Sequence, residues 1–97
     1  MMDAFKGQLV QQNAIVEGAP LQQQTILFHP QSNRFCILNS TSSFIWNRIK
    51  SPTSPEQLAV ELSTSFTGVT PTDALKDVET ALSTLVALDL VITHSSG

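Results

Sequence analysis

The residues of this chain that could do covalent chemistry are few: Cys36, His29, His94 and the run Ser40-Thr41-Ser42-Ser43. A nucleophilic site needs a thiol or hydroxyl within hydrogen-bond reach of a base, and a third group that orients the base. His29 stands before Pro30 in a turn-like stretch and His94 lies close to Gly97, and neither has an orienting partner in the sequence. The serines sit where a helix should begin, and capping of its free N–H groups accounts for them. Cys36, inside Phe35-Cys36-Ile37-Leu38, reads as a reduced thiol that packs as a small hydrophobe. One cysteine closes no internal disulfide, and no Cys/His cluster has metal-ligand spacing. The expectation is a protein that is not an enzyme and holds neither cofactor nor metal.

Charge narrows the partners. Five Lys and Arg stand against eight Asp and Glu, a net −3, and Lys6, Arg34, Arg48, Lys50 and Lys76 are scattered. A phosphate backbone demands a cation for each phosphate neutralised, so nucleic acid is disfavoured. With 41% hydrophobic and 13% charged residues the chain is too apolar for a disordered one. Its 97 residues make one domain, read as an ordered core over about 8–92 between flexible termini. The start, Met1 to Gly7, lacks a basic-then-apolar signal, and no apolar run reaches about 18 residues, so a cytoplasmic location is expected.

The elements that must position anything functional divide near Asn39. Before it lie a short apolar run at Asn13–Val16, a turn signal at Glu17-Gly18-Ala19-Pro20, and two β-rich runs, Thr25–Phe28 and Arg34–Leu38. These last two flank His29-Pro30-Gln31-Ser32-Asn33 and read as a hairpin. Both are apolar at consecutive positions, so each has two covered faces or one face awaiting something. After Asn39 come three helical segments. The first runs from Asn39-Ser40 to about Lys50 with the stripe Phe44, Ile45, Trp46, Ile49. The second opens with Ser54 and Pro55, with Gln57 completing a capping box, and stops at Gly68. The third is capped by Thr70 and spans Pro71–Leu88, with Leu75, Val78, Leu82 and Leu85 as its core stripe. Ala74, Ala81 and Leu88 widen that stripe on one flank, with Asp77 and Thr84 just beyond. Leu90-Val91-Ile92 ends the ordered part, and 94–97 reads as a loose tail.

A three-stranded antiparallel sheet followed by three helices is an α+β, winged helix-turn-helix-like pattern. Within it, Phe35-Cys36-Ile37-Leu38-Asn39-Ser40-Thr41-Ser42-Ser43-Phe44-Ile45-Trp46 resembles the hallmark of the PqqD-like family. There an apolar strand ends in Leu-Asn and a small polar pair leads into a helix carrying Ile-Trp. Pro55–Leu62 resembles the family's second helix, and Asp77-Val78 through Leu82, Leu85 and Leu90-Val91 its third. The resemblance covers about Gln24 to Ile92; the family's usual Gly-Leu at the last turn is replaced by Asp89-Leu90.

The resemblance implies a recognition element for ribosomally made, modified peptides (RiPPs). Such a domain binds the leader segment of a precursor peptide as an added strand against the third strand and third helix. It then presents the core segment to a modifying enzyme such as a radical S-adenosylmethionine protein or a protease/cyclase. The peptide-binding residues so implied are Arg34, Phe35, Cys36, Ile37 and Leu38 on the edge strand. Across from them stand Ala74, Asp77, Val78, Ala81, Thr84, Leu85 and Leu88 on the helix. Strand addition suits an edge, whose unpaired N–H and C=O groups an extended peptide can satisfy. Two rivals share the fold. A DNA-binding regulator would use the third helix, but there Lys76 faces Asp73, Asp77, Glu79 and Asp89. A small homodimeric adaptor would fill the same edge with a second copy.

Overall fold

Three side-chain caps fix where the helical half begins. Asn39, Ser54 and Thr70 each take an extended backbone and accept the N–H three residues on, from Ser42, Gln57 and Asp73. They start α1 (Ser40–Arg48), α2 (Pro55–Ser65) and α3 (Pro71–Ala87), the last two with proline in the first turn, where its missing N–H costs nothing. This computed structural model describes residues 5, 7–22 and 24–95. Residues 1–4 of the N-terminal segment and Ser96-Gly97 of the expected tail lie outside them.

Ahead of the helices the chain forms β1 (Gln8–Gln12), β2 (Glu17–Leu21), β3 (Gln24–His29) and β4 (Arg34–Leu38); β5 (Val91–Ser95) follows α3. The main sheet is antiparallel in the order β2-β3-β4, with Leu27 opposite Cys36 and Phe28 opposite Phe35. A second ladder pairs β1 with β5, from Gln8 opposite Ser95 to Gln12 opposite Val91. The three-stranded sheet and three helices of the expected α+β pattern are present, and the pair β1-β5 is an addition.

Several local expectations are corrected. Asn13–Val16 is the bend between β1 and β2, closed by Val16 N–H donating to the Asn13 carbonyl. Glu17-Gly18-Ala19-Pro20 is strand, not turn. Pro20 is accommodated because β2 is an edge strand. Gly18 is required by close approach, since a Cβ there would stand 3.2 Å from Leu27 Cδ2 and 3.3 Å from Trp46 Nε1. His94 and Ser95 belong to β5, so the chain stays paired beyond Ile92. The first helix ends at Arg48, before Lys50. At the second helix only half of the capping box forms: Ser54 accepts from Gln57 N–H, while the Gln57 side chain turns outward and donates to Glu61.

The core lies between the inner face of the main sheet and the helices, with Leu27, Leu38, Ile45, Trp46, Ile49, Leu58, Leu62, Leu82 and Leu85 all buried. On α3 the buried stripe is Ala74, Val78, Leu82 and Leu85, with Leu75 only partly buried. The expected stripe is thus rotated slightly, with the small Ala74 side chain inside; α2 is the element on which α3 packs most extensively.

The end of α3 carries an unusual residue. Leu90 N–H donates to the Leu85 carbonyl and Asp89 N–H to that of Val86, the paired bonds of a Schellman motif. The left-handed position that motif needs is occupied by Asp89, at φ 60°, where glycine is ordinarily found.

Candidate functional site

β4 borders β3 on one side and, among the described residues, no strand on the other. Its inner side chains, Cys36 and Leu38, point toward the helices, and Leu38 is buried. Its outer ones, Phe35 and Ile37, are 73% and 62% exposed, so the second face suggested by this unbroken apolar run is uncovered. Antiparallel pairing with β3 uses the N–H and C=O of every second β4 residue, which leaves the intervening ones directed outward.

β4 and α3 face each other across a trench. A hollow of about 530 Å³ is lined on the β4 side by Cys36, Ile37 and Leu38, and on the α3 side by Asp77, Thr80, Ala81, Thr84 and Leu85. A smaller hollow of about 210 Å³ lies between Arg34, Phe35 and Cys36 and the residues His29, Leu88 and Leu90. Cys36 lines both, so together they follow the whole of β4, which runs opposite in sense to α3. The trench is graded. Asn39, Thr41, Ser42, Asp77 and Thr80 make the Leu38 end polar, whereas the Arg34 end is mixed, with Leu88 and Leu90 beside Arg34 and His29. Partial burial pushes the Cys36 thiol up from its ordinary pKa by desolvating the thiolate.

The trench is held at its Arg34 end by a link between segments far apart in sequence. His29, buried, is 3.1 Å from the exposed Asp89 carboxylate through Nε2. Its Nδ1 faces the backbone N–H groups of Gln31 and Ser32, each at 3.3 Å. Those groups can only donate, so Nδ1 accepts and Nε2 carries the hydrogen given to Asp89. One imidazole therefore orders the β3–β4 turn and ties it to the end of α3. Asn13 adds a second tether, its side-chain N–H donating to the Asp89 carbonyl.

Of the twelve residues proposed from sequence, ten line the trench: Arg34, Phe35, Cys36, Ile37, Leu38, Asp77, Ala81, Thr84, Leu85 and Leu88. Ala74 and Val78 do not; both are 0% exposed and belong to the core. Sequence reasoning missed Gln24, Asn39, Thr41, Ser42, Thr80, His29 and Leu90. Thr80 was within reach, one helical turn from both Asp77 and Thr84. Gln24 and His29 arrive through the hairpin register, which composition does not specify. Among the described residues no group of three or more His, Cys, Asp and Glu could hold a metal ion, and no helix is long and apolar enough to cross a membrane.

The described residues form a small α+β domain in which an open strand edge borders a helix-walled trench. Residues 24–91 match the model of the family described as Coenzyme PQQ synthesis protein D (PqqD), and the chain belongs to that family. Its fold is shared with two solved structures. TbiB1 in complex with the TbiA(beta) leader peptide superposes with a TM-score of 0.76 at 20% identity, over 84% of this chain and 93% of that one. A lasso peptide synthetase B1 complexed with the leader peptide gives 0.74 at 24% identity, over 86% and 96%. No curated protein matches the chain.

Proposed function

We propose that this chain binds the leader segment of a ribosomally made precursor peptide by strand addition to β4 and presents the core segment to a maturation enzyme. It acts as a non-catalytic adaptor in the bacterial cytoplasm, and its enzyme partner is of the radical S-adenosylmethionine or protease/cyclase kind. The observation that carries the reading is the open β4 edge facing α3 across the trench. Main-chain bonds along the edge supply affinity, and the graded trench supplies selectivity. A leader seated there would put apolar side chains between Cys36 and Leu88 and polar or basic ones near Asp77. Membership of the PqqD family, and a fold shared with two proteins solved with leader peptides, support the same assignment.

The test is calorimetric titration with the synthetic leader of the precursor encoded beside this gene. Binding should lie between nanomolar and micromolar, about −12 to −8 kcal/mol. Ala81, half-buried in the middle of the trench wall, is the position to obstruct. Ala81→Trp should weaken binding at least tenfold while the thermal midpoint stays near that of the unsubstituted chain. Unchanged affinity in that variant would place the peptide elsewhere.

A further inference from the structure

The two edges of the main sheet differ in a way that the helix-facing trench does not explain. On the outer face, away from the helices, β2 presents Glu17, Ala19 and Leu21, β3 presents Gln24, Ile26 and Phe28, and β4 presents Phe35 and Ile37. Leu21 is the one large apolar residue of β2 on this face, and Pro20 removes a backbone donor from that edge. The β4 edge carries neither device. Its outward residues are an aromatic and a β-branched side chain, the two most exposed large hydrophobics among the described residues. Their neighbours in β3, Phe28 and Ile26, are only half-exposed, and the Phe28 and Phe35 rings meet at 4.7 Å between centroids. β4 thus meets its open edge with two large apolar side chains beside an apolar β3, whereas β2 meets its own with Glu17, Ala19 and Leu21.

We infer that the leader is read on both faces of the strand it adds. Alternate leader side chains enter the trench, and the intervening ones are apolar and pack on Phe35 and Ile37 at the outer face. This rests on strand addition to β4 and extends it to a recognition surface on the side of the sheet remote from α3. Side chains of an added strand alternate between faces, so those sent outward fall level with Phe35 and Ile37 at about 5 Å. The ligand class that follows is an extended peptide with two apolar residues separated by one position, in addition to whatever the trench selects. Occupancy by the leader is favoured because any strand hydrogen-bonded to β4 delivers side chains to these two residues, whatever its sequence.

The probe is a displayed library of random peptides, selected in parallel on the unsubstituted chain, on Phe35→Lys/Ile37→Lys and on Ala81→Trp. Peptides enriched by the unsubstituted chain should carry an apolar pair two positions apart. They should bind Phe35→Thr/Ile37→Thr about tenfold more weakly, the loss of two cross-strand apolar pairs. The double-lysine variant should instead enrich Asp or Glu at the same two positions, a gain that damage to the fold cannot produce. If enriched peptides depend on Ala81 but keep one motif and affinity whatever stands at 35 and 37, the outer-face reading is overturned and strand addition survives. If they are indifferent to Ala81→Trp as well, or none is enriched, the leader-binding assignment falls with it.

Discussion

Backbone methylation of the bound peptide tests the strand-addition geometry directly. β4 contributes five residues, of which every second one directs its N–H and C=O to the open side. An added strand therefore gains about four to six main-chain hydrogen bonds, each worth about 1 kcal/mol net. Methylating one amide nitrogen that faces β4 removes a bond. It also forces a methyl group between strands only about 4.8 Å apart. The cost should be about 1–3 kcal/mol, a loss of roughly 5- to 150-fold in affinity. Methylating the next amide along, which faces away from β4, should change affinity by less than about twofold, since no bond to the protein is lost. A scan by fluorescence anisotropy should therefore alternate, large and small, over a segment about as long as β4. Uniform sensitivity, or none, would refute strand addition even if the peptide binds in the trench.

Two further outcomes follow from the trench and its tether. Cys36, with its thiol pushed up by partial burial, should alkylate more slowly at neutral pH than an unhindered cysteine and recover as pH rises. Bound leader should slow it further, because Cys36 lines both hollows; mass-spectrometric labelling with and without peptide reads both effects. Asp89→Ala keeps the left-handed backbone and loses the bond to His29, so it should cost about 1–2 kcal/mol, whereas Asp89→Gly should recover about 1 kcal/mol of that. A chain of this size converts each kcal/mol into about 4–8 °C of melting temperature, so coincident melting of the two variants would show that residue 89 is not strained.

Helix starts were the most legible part of the fold, because Asn39, Ser54-Pro55 and Thr70-Pro71 signal them locally and each cap forms. The hairpin Thr25–Leu38 was legible for a similar reason: two apolar runs enclose a turn of Pro, Ser and Asn. β1 and β2 were not. Gln8–Gln12 is too polar to read as a strand, and it forms one because β5, some eighty positions later, supplies its partner. Glu17–Leu21 carries turn residues whose strand role depends on an edge position and on Trp46 lying beneath Gly18. At the site, β4 and the Asp77–Ala81–Thr84–Leu88 flank were named because the resemblance to the PqqD-like family implied them, with the wide apolar arc of α3 as secondary support. Val78 was read in the core stripe and Ala74 beside it, while the resemblance also implied both as wall; both are fully buried. The His29–Asp89 link was invisible, because nothing local marks the last residue of β3 for a carboxylate sixty residues away.

The β1-β5 ladder brings the first and last strands of the domain side by side, with Gln8 opposite Ser95. A domain whose entry and exit adjoin can be spliced into a host loop or tethered to an enzyme through one short gap, without stretching its own backbone. Neither strand contributes a residue to the trench. The proposed recognition surface is therefore separable from the entry and exit strands, and the unit should be portable: grafted beside an enzyme, it should carry its peptide preference with it.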